Sequence, residues 1–338
     1  MRAMILAAGY GTRLWPLTAD RTKPAIPFLG RPLVGYVAEY LASYGIREIM
    51  VNLHHRPESV REALGDGGRF GVALSYIDEP VILGTSGALD NARDYFKDDT
   101  FVVVNGKIVT DINLTHALEA HKRTNALATL VLKENRKRER YSIVEVNGEF
   151  VSRFGGMPQR AASDNASENK IDESDSNDSV PLMFTGIQIL DPRVFDYIPT
   201  KVFSHSTSDV YPQAIANGER VAAHVADGTW YELSTIQRYL DVSLAMLKRQ
   251  GRDVEIGEGS TISSDSDVSE SLIWDTVTIE NGARVHRAVV GDGVTIRSGD
   301  TIENAVVVRR ELVEGLEAPP KSLPGTVNGD NFVVSLSE

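Results

Sequence analysis

The chain has 338 residues, a formal net charge of -12 and no cysteine. Its length predicts two domains with sizeable hydrophobic cores, and the lack of cysteine excludes disulfides and thiolate metal sites. The acidic balance argues against broad attraction to nucleic acid or to an anionic membrane, and no apolar stretch reaches the length of a membrane span, so a cytoplasmic chain is expected.

Short β-branched runs alternate with amphipathic helical patterns along the first two-thirds of the chain, which predicts a doubly wound α/β fold with a mostly parallel sheet. The predicted elements are strands at 2–7, 48–52, 73–77, 100–104, 128–132 and 183–190, and helices at 32–44, 57–64, 87–95 and 114–124. Ligands of such sheets bind beyond the carboxyl ends of the strands. Residues 9–13 and 105–111 both follow predicted strands, so we expect them at one edge of the sheet.

The segment at 159–180 is acidic, rich in Ser and Asn, and almost free of large apolar side chains. A segment of this composition cannot bury enough apolar surface to offset the entropy lost on ordering. We therefore predict a disordered surface insertion there.

Aliphatic residues recur at intervals of 17 residues from Val254 onward. The three series are Ile262, Ile279 and Ile296; Val268, Val285 and Ile302; and Ile256, Ile273, Val290 and Val307. Such phased, hexapeptide-like units predict about three coils of a left-handed parallel β-helix. We expect an α/β domain at 1–248 and a β-helix domain with a C-terminal tail at 249–338. An exposed apolar stretch in that tail, Phe332-Val333-Val334, suggests a homo-oligomer.

The most informative stretch runs from Leu6 to Leu33 and reads LAAGYGTRLWPLTADRTKPAIPFLGRPL. Gly9 and Gly11 permit a sharp turn after the first strand, at which backbone N–H groups can face a phosphate, and Arg13 adds a forked cation. The string resembles the signature of the sugar-1-phosphate nucleotidyltransferases, or NDP-sugar pyrophosphorylases. That signature is roughly GxGTRLxPLT followed by PKP, and only Thr22 departs from it.

This resemblance implies a nucleotide pocket and a sugar pocket. The segment LGTSGAL at 83–89 is similar to the family's LGTAGAL, whose small residues let the backbone approach a flat base. The residues implied at the nucleotide are Leu6, Ala8, Gly9, Gly11, Thr12, Arg13, Lys23, Gly84, Thr85, Ser86, Gly87 and Asn105. Among these, Arg13 and Lys23 are the implied catalytic cations, and Ser142, Thr185 and Gly186 are implied at the sugar.

The reaction implied by the resemblance is attack of a sugar-1-phosphate oxygen on the α-phosphorus of a nucleoside triphosphate, normally with Mg²⁺ between the phosphates and two carboxylates. Asn105-Gly106-Lys107 stands where the family has Asn-Gly-Asp, so Lys107 replaces the first carboxylate. WYELST resembles the family's WxDIGT, so Glu232 replaces the Asp that supplies the second carboxylate. Met157 stands where the family's FxEKP motif has a lysine that contacts the sugar phosphate.

Three hypotheses follow from these departures. In the first, the chain is an active enzyme in which Glu232, with Asp111 and the triphosphate, holds Mg²⁺ while Lys107 neutralises phosphate directly. In the second, it is a catalytically impaired regulatory or nucleotide-sugar-sensing relative that pairs with an active, related subunit. The third, a structural β-helix scaffold, leaves the N-terminal motif unexplained.

The substrates are not fixed by these motifs. An N-terminal nucleotidyltransferase pattern followed by a β-helix most resembles the mannose-1-phosphate guanylyltransferases, which use GTP. Transfer from UTP or dTTP to glucose-1-phosphate is the alternative, because base selection depends on loop geometry.

Overall fold

The computed structural model describes residues 1–156 and 180–337. Met157 and all of the predicted insertion except Val180 therefore lie outside the described residues. The strands are, in chain order, β1 (Arg2–Leu6), β2 (Pro27–Phe28), β3 (Arg31–Pro32), β4 (Glu48–Leu53), β5 (Ala73–Asp78), β6 (Phe101–Asn105), β7 (Ile108–Thr110), β8 (Ala128–Glu134), β9 (Val144–Asn147), β10 (Phe150–Phe154), β11 (Leu182–Leu190), β12 (Val221–Val225), β13 (Trp230–Glu232), β14 (Val254–Ile256), β15 (Thr261–Ile262), β16 (Asp267–Ser269), β17 (Ser271–Ile273), β18 (Thr278–Ile279), β19 (Arg284–Val290), β20 (Thr295–Ile296), β21 (Thr301–Arg309), β22 (Thr326–Asn328) and β23 (Asn331–Ser335).

The α-helices are α1 (Leu33–Ser43), α2 (Pro57–Leu64), α3 (Gly84–Asn91), α4 (Arg93–Phe96), α5 (Leu114–Thr124), α6 (Tyr211–Ala216) and α7 (Ile236–Arg249). Within the described ranges, no helix combines the length and the apolar character needed to cross a membrane.

The described residues form a nine-stranded sheet in the order β5-β4-β1-β6-β11-β8-β12-β10-β9. Strands β11 and β10 run against the direction of the other seven. Alternate residues of β1 face opposite sides: Ala3 and Ile5 pack with α1, α2 and α5, whereas Met4 packs with α3, α4 and α6. Because helices cover both faces of a mostly parallel sheet, the predicted doubly wound fold is confirmed.

The predicted helices at 57–64 and 114–124 match α2 and α5, and the helix predicted at 87–95 is present but with other bounds. Helix α3 begins at Gly84, and a break at Ala92 separates it from α4. The N–H of Ser86 donates to the carbonyl of Ser204, 3.1 Å away, so a partner from a distant segment supports the first turn. A local pattern cannot reveal such a contact.

The interval of 17 residues is the register of a parallel β-helix. Thr261 pairs with Thr278 and Thr278 with Thr295, while Val285 pairs with Ile302. The interior is filled by the predicted aliphatic series, with Ile279, Ile296, Val285, Ile302, Ile273, Val290 and Val307 buried. Ile256 departs from the prediction: it ends β14, the first strand of the β-helix, and is 51% exposed.

The C-terminal tail is not the exposed apolar stretch that the sequence predicts. Strand β23 pairs antiparallel with β21 and buries Val334 completely. The ring of Phe332 lies 5.3 Å from that of Trp15, between ring centroids, in the α/β half of the chain. The tail therefore covers the last coil and contacts the α/β domain, and it no longer argues for a homo-oligomer.

One hydrophobic cluster joins the two halves of the chain. It combines Leu14, Phe28 and Leu240 of the α/β half with Trp274 and Val306 of the β-helix. Since both halves bury residues in this cluster, the β-helix is packed on the α/β domain.

Candidate active site

The loop after β1 lies at the carboxyl edge of the sheet, as predicted. Leu6 is flanked in register by Asn52 of β4 and Asn105 of β6. The N–H of Ala7 donates to Oδ1 of Asn52 (2.9 Å), and the N–H of Gly106 donates to the carbonyl of Leu6 (2.9 Å). These bonds fix the direction in which the chain leaves the strand. Beyond them Ala8 is buried, and a Cβ at Gly9 would meet no atom within 4 Å.

Gly11 brings the two predicted catalytic cations to one place. Its φ of 68° begins the short helical turn Thr12–Leu14, which carries Arg13. A Cβ at Gly11 would lie 2.9 Å from the Cβ of Lys23. Glycine is therefore required both by the left-handed backbone and by the close approach of Lys23.

Lys23 is a buried lysine, with 8% of its surface exposed. Burial, together with repulsion from Lys107 and Arg13, lowers the pKa of Lys23 to about 7, although Glu232 acts in the opposite direction. Burial disfavours the charged form of an amine, and neighbouring cations add to that effect. The free protein thus holds Lys23 ready to gain a proton when an anion arrives.

A second polar link ties this loop to the segment before α3. Nδ2 of Asn52 donates to Oε1 of Glu79 (2.6 Å), and Oε2 of Glu79 accepts the N–H of Leu83 (2.9 Å). Glu79 is 3% exposed. The two predicted nucleotide segments are therefore held in a fixed relation by Asn52 and Glu79. Sequence reasoning missed both residues; their only local signal is that Asn52 is a polar residue near the end of the apolar strand β4 and that Glu79 directly follows β5.

The small residues at 84–87 pack against the chain at 202–206. A Cβ at Gly84 would lie 2.4 Å from the carbonyl oxygen of Ser204, and one at Gly87 would lie 2.7 Å from that of Val202. Oγ of Ser86 donates to Oγ of Ser204 (2.8 Å), and Oγ1 of Thr85 accepts the N–H of Ser206 (2.9 Å). Close approach of the protein's own backbone requires the small residues at Gly84 and Gly87, and a contact of this segment with a base stays a prediction.

Two of the three predicted sugar residues, Ser142 and Thr185, line a cavity of about 480 Å³. Its lining includes Asn105, Lys107, Ser142, Thr185 and Glu232. A Cβ at Gly186, which has φ 84°, would lie 2.2 Å from Nδ2 of Asn105, so Gly186 makes room for that side chain. The hydroxyl of Thr185 donates to the carbonyl of Val131 (2.7 Å), and thus shapes the cavity wall from behind.

Lys107 and Glu232 form an ion pair between this cavity and a neighbouring one of about 730 Å³, which Arg13 also lines. Strands β7 and β13 form a ribbon that places Glu232 opposite Ile108, and the N–H of Leu233 donates to the carbonyl of Lys107 (3.2 Å). Burial raises the pKa of Glu232, but the ammonium of Lys107, with further help from Lys23 and Arg13, lowers it below the usual range. Glu232 is therefore a buried carboxylate that stays charged beside Lys107, Arg13 and the partly protonated Lys23.

Comparisons with known proteins agree with this geometry. The profile of the Nucleotidyl transferase family matches residues 2–249, and that of the GlmU-like C-terminal hexapeptide matches residues 246–316. The chain belongs to the nucleotidyl transferase family. The predicted family resemblance is thus confirmed.

Named members of the family transfer different nucleotides. The chain is 31% identical to a UTP-glucose-1-phosphate uridylyltransferase of Synechocystis, over 83% of this chain and 72% of that protein. It is 30% identical to a mannose-1-phosphate guanyltransferase of Yarrowia lipolytica, over 71% of this chain and 62% of that protein. The crystal structure of HddC from Yersinia pseudotuberculosis shares the fold, with a TM-score of 0.60 and 20% identity over 72% of this chain and 99% of that one.

The residues of this family member do not fit a protein-bound Mg²⁺. Asp111 lies at the far end of the β7–β13 ribbon from Glu232, where its carboxylate accepts the N–H and the hydroxyl of Thr229. The two predicted metal ligands are therefore not brought together. Mg²⁺ takes oxygen ligands, and the carboxylate of Glu232 is already in contact with an ammonium. Across residues 1–156 and 180–337, no group of three or more His, Cys, Asp or Glu is placed to hold a metal ion.

Proposed function

We propose that this chain transfers a nucleotidyl group from a nucleoside triphosphate to a sugar-1-phosphate, giving an NDP-sugar and pyrophosphate. The observation that carries the proposal is the cluster of Arg13, Lys23 and Lys107 beside the two adjoining cavities. Positive groups in this position can align two phosphate-bearing substrates and neutralise their repulsion. The relatives named for uridylyl and guanylyl transfer support the same reaction.

In the proposed step, a phosphate oxygen of the sugar-1-phosphate forms a bond to the α-phosphorus of the triphosphate. The bond from that phosphorus to the oxygen leading to the β-phosphorus breaks, and pyrophosphate leaves with the electron pair. Arg13 and Lys23 offset the negative charge that accumulates on the leaving group. The protein supplies position and charge, and no step passes through a covalent enzyme intermediate or a protein-bound metal.

Two substrate pairs are proposed. GTP with mannose-1-phosphate is the first, and it has the support of the guanyltransferase relative. UTP with glucose-1-phosphate is the second, favoured by the uridylyltransferase whose match extends over 83% of this chain. We further propose that the α/β domain ends at residue 248 and the β-helix domain begins at residue 249. We also propose that any homo-oligomer forms through the β-helix. Sedimentation across protein concentrations would test whether an oligomer forms.

The decisive experiment is pyrophosphate release from the purified chain. GTP, UTP, dTTP, ATP and CTP are each combined with mannose-, glucose- and N-acetylglucosamine-1-phosphate, and mass spectrometry identifies the NDP-sugar formed. We expect release with one preferred pair. Silence in every combination from folded protein would overturn the proposal, and nucleotide binding in that case would favour the regulatory relative.

Binding of a nucleoside triphosphate is expected to take up a proton at Lys23. The pKa of Lys23 is about 7 in the free protein. At about pH 8, the Lys23 amine is therefore uncharged in most molecules. Approaching phosphates favour the ammonium and raise that pKa, so uptake approaches about one proton per site and affinity falls as the pH rises above 7. Calorimetry in buffers of different ionisation enthalpy measures the proton count.

The matched variant for this measurement is Lys23→Met, which keeps a long apolar side chain but cannot titrate. It should bind nucleotide about 10- to 100-fold more weakly, as expected for a lost charge-assisted hydrogen bond, and its binding heat should not depend on the buffer. A wild-type binding heat that is the same in every buffer would show that Lys23 does not titrate on binding.

A further inference from the structure

The ion pair between Lys107 and Glu232 is fixed by the backbone on both sides. Lys107 immediately precedes β7 and Glu232 ends β13, and the two strands pair in register. The side chain of Glu232 is 10% exposed, whereas that of Lys107 is 36% exposed. The buried carboxylate of Glu232 therefore orients the ammonium of Lys107, while part of the Lys107 side chain is exposed in the cavities.

The charges around this pair are arranged for an anion. Arg13, Lys107 and Glu232 line the same cavity, and Lys23 is near enough for its charge to lower the pKa of Glu232. Two cations, Arg13 and Lys107, and the partly protonated Lys23 thus surround one carboxylate. A divalent cation entering here would have to displace the Lys107 ammonium and face Arg13, whereas a phosphate would be attracted by both and would favour protonation of Lys23.

In the proposed reaction, the phosphates need a neutralising group at the position where the family motif has a metal-binding carboxylate. We propose that the Lys107 ammonium, oriented by Glu232, binds the reacting phosphates directly and takes the place of a protein-bound divalent cation. This inference rests on the proposed function for the identity of the phosphates. It assigns Glu232 the role of a positioning residue, because the carboxylate acts through Lys107.

Metal dependence tests this inference in two independent ways. Nucleotide binding to the full chain is measured by calorimetry in excess EDTA and in excess Mg²⁺, and binding of Mn²⁺ to the nucleotide-free chain is followed by electron paramagnetic resonance. The wild-type chain should bind nucleotide in EDTA, gain no affinity when Mg²⁺ replaces EDTA, and leave Mn²⁺ free in solution. Neither readout requires turnover, so the inference is tested even where the substrates are wrongly assigned.

Lys107→Asp should reverse this behaviour. It removes the ammonium and sets a second carboxylate beside Glu232, so we expect it to bind Mn²⁺ and to need a divalent cation for nucleotide binding. Lys122→Asp, which makes the same charge change at an exposed position on α5, should behave as wild type in both measurements.

Lys107→Met provides a second variant should Lys107→Asp fold poorly. It should weaken nucleotide binding in EDTA by about 10- to 100-fold without creating Mn²⁺ binding. Stoichiometric Mn²⁺ binding by the wild-type chain, or nucleotide binding that disappears in EDTA, would overturn the inference. Absence of pyrophosphate release alone would overturn the proposed function. The measurements of nucleotide binding in EDTA and of Mn²⁺ binding would still test the inference about Lys107.

Discussion

Replacing Arg13 with alanine is expected to lower kcat/KM for nucleotidyl transfer by about 10²- to 10³-fold, the usual effect of removing one preorganised group that stabilises transition-state charge. Arg13 extends from the turn Thr12–Leu14 into the same cavity as Lys107 and Glu232. The proposed reaction builds charge on pyrophosphate as it leaves, and a forked guanidinium can bond two phosphate oxygens together. Steady-state pyrophosphate release with the preferred substrate pair measures the loss.

Two control variants separate this role from a general effect on charge. Arg13→Lys keeps the charge but loses the fork, so it should recover only part of the activity. Arg310→Ala removes an exposed arginine that pairs with Glu314 in the β-helix half, and its activity should match wild type. Equal activity of Arg13→Ala and Arg310→Ala would show that Arg13 takes no part in the reaction.

A second readout follows from the neighbours of Arg13. Its charge helps to lower the pKa of Lys23, so in Arg13→Ala that pKa should rise. The pH above which nucleotide affinity declines should therefore move upward with it. A merely structural role for Arg13 would not shift this pH dependence.

The parts of this molecule that follow local rules could be predicted from the sequence. The strand at Arg2–Leu6 and the glycines after it placed Arg13 at the sheet edge, because apolar runs and glycines act over a few residues. The interval of 17 residues predicted the β-helix, because each coil must place an aliphatic residue at the same angular position.

The parts that depend on distant segments could not be predicted. The contact of Gly84 with Ser204, the pairing of Glu232 with Lys107 and the bond from Thr229 to Asp111 each join residues far apart in the chain. Substitutions in the family motifs showed that Lys107 and Glu232 were unusual. Only the folded β7–β13 ribbon, which places Glu232 opposite Ile108, brings these two side chains together as an ion pair.

The interface between the two halves of the chain also joins residues that are far apart in the sequence, and substitution there is expected to have the largest effect on stability. Trp274→Ala should lower the free energy of unfolding by about 3–5 kcal/mol, the cost typical of emptying a buried aromatic site. Trp274 is 6% exposed, and its Nε1 donates to the hydroxyl of Tyr239 on α7 (3.1 Å). The guanidinium of Arg21 lies 5.3 Å from its ring and also pairs with Asp292 of the β-helix.

Urea unfolding of the full chain measures this loss. The control is Phe203→Ala, which truncates a phenylalanine that is 58% exposed and should change stability by less than about 0.5 kcal/mol. Because Trp274 belongs to a cluster that both halves bury, we expect one cooperative transition that moves as a whole. Two separate transitions, with only the β-helix affected, would show that the halves unfold independently.

The position of α7 gives this stability prediction a consequence for the site. Helix α7 carries Tyr239, which contacts Trp274, and it begins four residues after Glu232. Arg238 on the same helix pairs with Glu139, and both residues line the cavity that holds Arg13 and Lys107. Loosening the β-helix contact should therefore weaken nucleotide binding at temperatures where the variant is still folded. Unchanged affinity in folded Trp274→Ala would confine the interface to a stabilising role.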